Sequence, residues 1–233
     1  MGDGRTFEGK RVAITGAAGN LGRAVASAFL AAGARVLLLD RVASRLSVEG
    51  EAAARVESHV VDLTDTRASA EAFAGLGALD ALCNIAGGFD MGTPVHETTP
   101  EQWERMLDIN VRTLLNSVRG AVPGMLARGH GTIVNVGAKA ALASPANMAP
   151  YTGSKSVVIR ITESLAAELK EAGINVNCVL PSALDTPENR AAMPNADPAR
   201  WVEPAALADV VMFLASPAAR AVHGAAIPVT GLS

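Results

Sequence analysis

The sequence predicts one α/β domain with a doubly wound parallel sheet of about seven strands and helices on both faces. Two patterns indicate this fold class. Short aliphatic runs without polar alternation, typical of strands buried on both faces, alternate with longer Ala-rich amphipathic stretches. The length of 233 residues suits one such domain, and no linker rich in Pro, Gly or Ser divides the chain. We therefore expect residues 1–233 to form a single domain.

The predicted strands and helices alternate along the chain. Strands are expected at Arg11–Thr15, Arg35–Asp40, Ser58–Val61, Leu79–Asn84, Thr132–Val136, Asn175–Leu180 and Ala225–Val229. Helices are expected at Leu21–Ala32, Arg67–Ala74, Pro100–Arg128, Tyr151–Ala172 and Pro204–Ala215. Right-handed crossovers between parallel strands give the doubly wound order. The segment Pro181–Pro204 is rich in Pro and Asn with weak periodicity, so we expect a substrate loop there, at the carboxyl edge of the sheet.

Composition and charge exclude several classes of function. A net charge of -3 gives no electrostatic basis for binding nucleic acid or an anionic membrane. The two cysteines, Cys83 and Cys178, lie in apolar runs and the four histidines are scattered, so neither a metal site nor a disulfide scaffold is expected. The longest apolar stretch, Ala24–Ala34, is too short to span a bilayer, and Met1–Arg11 lacks the apolar core of a secretion signal. We expect a cytoplasmic protein with a small-molecule substrate.

A glycine-rich turn between the first strand and the first helix indicates a dinucleotide site of the Rossmann type. Glycines allow a tight turn and close approach to a pyrophosphate, while the helix N-terminus offers unpaired N–H groups. The candidate cofactor-binding residues in this turn are Gly16, Gly19, Asn20, Leu21 and Gly22. Such glycines also simply connect elements, but here the strand and helix context favours a nucleotide.

Asp40, about 20 residues further on, ends the second predicted strand. A carboxylate there can accept hydrogen bonds from the adenosine ribose and repel a 2′-phosphate, which favours NAD over NADP. Arg41 beside it could pair with a phosphate and keeps NADP open.

Two more strand ends face the same crevice. Asp62, with Leu63 beside it, follows the third strand and could meet the adenine amino group. Asn84, Ala86 and Gly87 follow the fourth strand, where small residues leave room for the ribose. Each of these could also be an ordinary turn residue.

Tyr151 and Lys155 open a long predicted helix, and a spacing of four places the phenol and the ammonium on one helical face. A nearby cation favours the ionised phenol and brings its pKa toward working pH. Tyr151 could instead be a core aromatic and Lys155 a solvated surface group. The chain has one tyrosine and only four lysines, however, so this pairing is less easily explained by chance.

These features together resemble the short-chain dehydrogenase/reductase family over nearly the whole chain. The resemblance rests on the glycine turn, Asp40, Asp62, the Asn84–Gly87 turn, Asn110, the Tyr151/Lys155 pair and Pro181 through Thr186. It implies hydride transfer to or from nicotinamide C4, and pairing of the long helices into homodimers or homotetramers.

The same resemblance assigns roles to individual residues. Tyr151 would be the general acid or base, and Lys155 would lower its pKa and hold the nicotinamide ribose. Asn110 would position a water in a proton relay. Leu184 and Thr186, which follow Pro181, would contact the nicotinamide amide.

Three positions depart from the family pattern. Asn20 stands where a glycine is usual, and because Asn tolerates left-handed geometry we expect cofactor binding to be preserved. Ser182 replaces another usual glycine. Ala138 stands where the family has a serine that donates to the substrate carbonyl. The long side chain of neighbouring Lys139 could swing inward to replace that donor, although such a side chain more often lies in solvent. Ala138 and Lys139 are therefore the candidate substrate-side residues.

Three segments, Gly137–Leu142, Leu184–Arg190 and Asp80–Cys83, resemble the dihydropteridine reductase branch of the family. Those enzymes also lack the serine, and they reduce a quinonoid dihydropterin with NADH. Asn110 belongs instead to the ordinary alcohol dehydrogenase pattern. A ketone or alcohol and a conjugated quinonoid, pterin-like substrate therefore both stay open. The alternative from another class is a nucleotide-binding protein of low activity, a redox sensor or assembly partner, against which Tyr151 and Lys155 argue.

Overall fold

The computed structural model describes residues 7–43 and 50–233, and within them seven strands form one parallel sheet. The spatial order is β3-β2-β1-β4-β5-β6-β7. The strands are β1 Arg11–Thr15, β2 Arg35–Asp40, β3 Val56–Val60, β4 Ala81–Asn84, β5 Gly131–Val136, β6 Ile174–Pro181 and β7 Ala226–Val229. The predicted fold class is confirmed, and residues 1–6 and 44–49 lie outside the description.

Seven α-helices connect the strands within the described ranges. They are α1 Asn20–Ala31, α2 Thr66–Gly75, α3 Pro100–Leu107, α4 Thr113–Arg128, α5 Ala149–Leu169, α6 Pro187–Ala192 and α7 Pro204–Ala215. The predicted single helix Pro100–Arg128 is wrong in one respect, because a π-helical turn at Asp108–Arg112 separates α3 from α4. The predicted loop Pro181–Pro204 contains α6, which begins after Thr186 caps it by accepting from the Asn189 N–H.

Two apolar layers cover the two faces of the sheet. Successive strand side chains point to opposite faces, so Val12 and Ile14 of β1 join the layer under α1 and α7, while Ala13 joins the layer under α2, α4 and α5. Both layers hold fully buried side chains. This two-sided burial explains why the central strands β1, β2 and β4 are nearly continuous apolar runs, while the edge strand β3 is polar and partly exposed.

The strand order reverses between β1 and β4, and this switch point is where ligands bind in open α/β sheets. The Thr15 hydroxyl, at the end of β1, accepts hydrogen bonds from the N–H groups of Ile85 and Ala86, both 3.1 Å. These bonds fix the turn after β4 beside the glycine turn after β1. None of the helices in the described part of the chain combines the length and apolar character needed to cross a membrane.

Candidate active site

The glycine turn is closely packed at two of its glycines. Gly16 has φ +65°, and a Cβ atom there would lie 2.7 Å from the Cα of Ala86. A Cβ atom on Gly22 would lie 2.2 Å from the carbonyl oxygen of Gly16. Neither position accepts a side chain without moving backbone. The turn therefore brings bare backbone and the α1 N-terminus to the switch point, as a pyrophosphate site requires.

Asn20 does not use left-handed geometry, so that part of the expectation is wrong. It is the first residue of α1, and among the described non-glycine residues only Asn147 has a positive φ. Its side-chain amide donates to Glu188 Oε2 at 2.6 Å. Asn20 thus joins the glycine turn to α6 of the predicted substrate loop, a contact that the sequence did not indicate.

Asp40 is fixed by two backbone donors. Its Oδ2 accepts from the Ala18 N–H and its Oδ1 from the Val42 N–H, both at 3.0 Å. Asp62 Oδ1 accepts from both the hydroxyl and the N–H of Thr64, at 2.7 and 2.9 Å. These hydrogen bonds hold the pKa of Asp62 below its usual value.

A groove of about 190 Å³ opens at the switch point between these carboxylates and the turn after β4. Arg41 also lines it, next to Asp40. The predicted cofactor residues that line the groove are Gly16, Asp40, Asp62, Leu63, Ala86 and Gly87. A closely packed glycine turn beside carboxylates suits the adenosine end of a dinucleotide.

Asn84 lies beneath this groove and does not line it. Its side chain is buried and donates to Asn135 Oδ1 at 2.9 Å, and Asn135 in turn donates to the Thr162 hydroxyl at 2.9 Å. This chain joins β4, β5 and α5. Its side-chain role is to hold the sheet edge, while a backbone contact to the cofactor stays a prediction.

Tyr151 and Lys155 lie one turn apart near the start of α5, at the carboxyl edge of the sheet. The Lys155 ammonium is buried and donates to the Val136 carbonyl at 2.8 Å. Burial lowers the pKa of Lys155 to about 8 and raises the pKa of Tyr151 to about 12. The expected lowering of the phenol pKa is therefore wrong for the protein alone. The Tyr151 hydroxyl makes no hydrogen bond to any described residue, so it can meet a ligand.

Asn110 lies in the π-helical turn and joins the turn after β4 to helix α5 through hydrogen bonds. Its amide donates to the Gly88 carbonyl at 3.1 Å and the Ser154 hydroxyl at 3.0 Å, and its Oδ1 accepts from the Gly88 N–H at 3.0 Å. A π-helical turn inserts an extra residue and often marks a functional site. The side chain of Asn110 is thus a positioning group, and its role in a water relay stays a prediction.

The substrate-side residues behave differently from one another. Ala138 is buried at the end of β5 and brings no donor. Lys139 is exposed, and its ammonium donates to the Ser233 carbonyl at 3.1 Å, which directs it toward the C-terminal segment. Ser182 donates to the Thr230 carbonyl at 3.0 Å in the same segment. The inward position suggested for Lys139 is therefore not the one observed.

The predicted nicotinamide-side residues lie around the start of α6. Pro181 ends β6, and Leu184 forms a parallel bridge with Val202. Thr186 is buried, and its hydroxyl oxygen caps α6 by accepting from the Asn189 N–H. Their contact with the nicotinamide stays a prediction.

Phe89 is a residue of the site that the sequence reasoning missed. Its ring lies edge-on to Tyr151, with centroids 4.8 Å apart and planes at 74°. An aromatic directly after Gly87 and Gly88 was the available signal.

Comparisons with known proteins agree with this architecture. The family model described as short chain dehydrogenase matches residues 10–197. The 2-(R)-hydroxypropyl-CoM dehydrogenase of Xanthobacter autotrophicus is 35% identical over 243 residues, which cover 95% of this chain and 97% of that protein.

Two solved structures with different cofactors are similar throughout. A 3-oxoacyl-(acyl-carrier protein) reductase from Brucella melitensis, with bound NAD, has a TM-score of 0.87 at 29% identity and covers 99% of this chain and 95% of its own. The L-sorbose reductase of Gluconobacter frateurii, complexed with NADPH and L-sorbose, has a TM-score of 0.87 at 27% identity and covers 98% of each chain.

The all-parallel sheet, with a glycine turn at its switch point, defines a nucleotide-binding α/β protein of the Rossmann class. The chain belongs to the short-chain dehydrogenase/reductase family and is an oxidoreductase. The matches support the family as a whole and do not show the dihydropteridine reductase branch.

Proposed function

We propose that this protein interconverts a small-molecule alcohol and its ketone, prefers NAD(H), and uses Tyr151 as its proton donor and acceptor. The observation that carries the proposal is the phenol of Tyr151, which has no hydrogen-bond partner among the described residues and lies one turn from the buried Lys155 ammonium. The relatives named above are dehydrogenases and reductases of alcohols, ketones or oxoacyl groups, which supports the substrate class.

The chain's own residues supply the proton chemistry. A bound nicotinamide ring supplies or accepts the hydride. Tyr151 donates a proton to the developing alkoxide in reduction and removes it in oxidation. With a dinucleotide bound, Lys155 would stabilise the ionised phenol. Asn110 holds Gly88 and α5 in register so that the phenol stays in place. The glycine turn, Asp40 and Asp62 would hold the dinucleotide.

The proposal is tested by steady-state turnover of NADH and NADPH with a panel of simple ketones and quinonoid acceptors. We expect turnover of ketones, with NADH preferred. Turnover confined to quinonoid acceptors would favour the pterin-like alternative, for which Ala138 is the supporting observation. Tight cofactor binding without turnover of any acceptor would favour a sensor or assembly role.

Asp40→Asn and Asp40→Ala should narrow or reverse the preference for NADH, which we expect to bind at least about fivefold more tightly than NADPH. The carboxylate is fixed by two backbone N–H groups and would face a 2′-phosphate. Asparagine removes the charge and keeps one of the two acceptor oxygens, whereas alanine removes both, so the two variants grade the loss of repulsion against loosening of the turn. Fluorescence titration of both cofactors measures the effect, with Asp209→Ala on the exposed side of α7 as the matched charge control. Tighter binding of NADPH by the unmodified protein would contradict the preference.

Ala138→Ser should raise kcat/KM for simple ketones by about tenfold, because a hydroxyl aimed at the developing alkoxide stabilises the transition state. A quinonoid imine presents no such oxyanion, so its turnover should stay unchanged or fall. The comparison on both acceptor types, with Lys139→Ala as the control for the neighbouring ammonium, separates the two substrate classes. A rate gain on quinonoid acceptors alone would be inconsistent with the ketone assignment.

A further inference from the structure

We infer that Phe89 determines specificity at the substrate side of Tyr151 and selects carbon-rich cyclic ketones and alcohols over polyhydroxylated ones, that is, polyols and their ketones. The inference rests on the proposed function and names the substrate class for that site. Phe89 is 55% exposed, although its ring contacts the catalytic tyrosine at a centroid distance of 4.8 Å. The other phenylalanines near the core, Phe7, Phe29 and Phe73, are at most 5% exposed. One part of the Phe89 ring is therefore covered by Tyr151, and another part remains open.

The residues on both sides of Phe89 are held by contacts with other segments. The N–H and carbonyl of Gly88 are both paired with the Asn110 amide, and a Cβ atom on Gly88 would lie 2.2 Å from Ile109 Cδ1. On the other side, Asp90 forms a salt bridge with Arg105. Because the chain is held on both sides, a ligand that packs on Phe89 has to order only the torsions of its side chain.

The surroundings favour an apolar ligand over a polar one. Ala138, two residues after β5, is buried and contributes an apolar methyl group. Met91, Leu142 and Met193 are 59%, 58% and 38% exposed, and they lie in the connections after β4, β5 and β6 at the carboxyl edge of the sheet. Nearby cations are engaged, with Arg105 on Asp90 and Lys139 on the Ser233 carbonyl.

Packing of a ring against Phe89 would favour a carbon-rich substrate in the transition state. Burial of the apolar area of such a ring against the phenyl group corresponds to about a tenfold preference. A polyol would gain nothing from this surface, because its hydroxyl groups would lose water without finding partners on the phenyl ring.

The test compares cyclohexanone and dihydroxyacetone as acceptors with saturating NADH. We expect the unmodified enzyme to favour cyclohexanone. Phe89→Ala should lower kcat/KM for cyclohexanone about tenfold, mainly through KM, and change that for dihydroxyacetone less than about twofold. Phe89→Trp, which keeps an aromatic ring at this position, should retain the preference for cyclohexanone over dihydroxyacetone. Val95→Ala truncates a 62%-exposed side chain in the same connection and should change kcat/KM for neither acceptor.

An equal loss for both ketones in Phe89→Ala would assign Phe89 to support of Tyr151 and overturn the specificity inference alone. A Phe89→Ala enzyme with unchanged kcat/KM for both ketones would also overturn it. An unmodified enzyme that reduces other ketones of the panel but not cyclohexanone would overturn this inference alone. One that reduces no ketone would overturn the proposed function and this inference with it. Cofactor affinity and the thermal midpoint of each variant establish that the nucleotide site and the fold are intact.

Discussion

Tyr151→Phe is expected to lower kcat by about 10²–10⁴-fold while cofactor affinity and stability stay nearly unchanged. The phenol hydroxyl has no hydrogen-bond partner among the described residues, so its removal leaves no buried group unsatisfied. The phenyl ring keeps the same place at the start of α5 and the same edge contact with Phe89. The loss therefore falls on proton transfer and not on the fold.

Single-turnover absorbance of NADH measures the chemical step, and fluorescence titration measures cofactor binding in the same variant. Phe89→Ala serves as the aromatic control, because it disturbs the ring contact and keeps the hydroxyl. If Tyr151→Phe retains most of the single-turnover rate on a ketone, the proton donor is another group and the assignment of Tyr151 is wrong.

The central strands of the sheet could be predicted from the sequence because they are buried on both faces, whereas the edge strand β3 is partly exposed and begins two residues before its predicted start. Runs such as Val36–Leu39 are buried on both faces, so aliphatic continuity alone marks them. The glycine turn was equally local, since Gly16 and Gly22 are required by contacts within the turn and with the adjacent strand end. Boundaries shifted by one or two residues at most strands, where hydrogen bonds to neighbours decide the ends.

The departures from prediction depend on contacts between distant segments. The π-helical turn at Asp108–Arg112 keeps the apolar pattern of its flanking helices, and what distinguishes it is the pairing of Asn110 with Gly88 and Ser154. The position of Lys139 depends on Ser233, 94 residues away. Helix α6 is different, because Thr186 followed by Pro187 was a usable local start signal.

The pKa of Tyr151 illustrates the same limit for chemistry. Spacing placed Lys155 on the correct helical face, yet its ammonium donates to Val136 and the phenol is governed by burial. In the protein alone the phenol therefore stays protonated, and burial lowers the pKa of Lys155, which favours its neutral form. We expect a bound dinucleotide and substrate to be needed before the pair acts together.

Lys155→Met is expected to abolish most turnover and at the same time to stabilise the fold at pH 7. The buried ammonium has a pKa of about 8, whereas an ordinary lysine titrates at 10.5. Below pH 8 its charge costs stability on the order of 3 kcal/mol, partly offset by the hydrogen bond to the Val136 carbonyl. Methionine fills a similar volume without the charge, so we expect a net gain of about 1–2 kcal/mol, or about 2–6 °C in Tm.

The pH dependence separates this charge effect from general packing. Between pH 8 and 10.5 the unfolded chain binds more protons at Lys155 than the folded chain does, so the penalty in the unmodified protein disappears as pH rises. The difference in Tm between Lys155→Met and the unmodified protein should therefore be largest at or below pH 8 and shrink toward pH 10.5. Tyr151 and Cys83 titrate above this range in both folded proteins and cancel in that difference. Burial raises the pKa of Cys178 and the Lys155 charge lowers it, so loss of that charge raises the pKa further and keeps the thiol protonated across the same range. Lys170→Met, an exposed lysine just beyond α5, should show no such trend. The opposite result would be a Lys155→Met variant that, relative to the unmodified protein, is less stable at pH 7 than at pH 10. In that case the ammonium supports the fold through its hydrogen bond and is not retained at a cost for function.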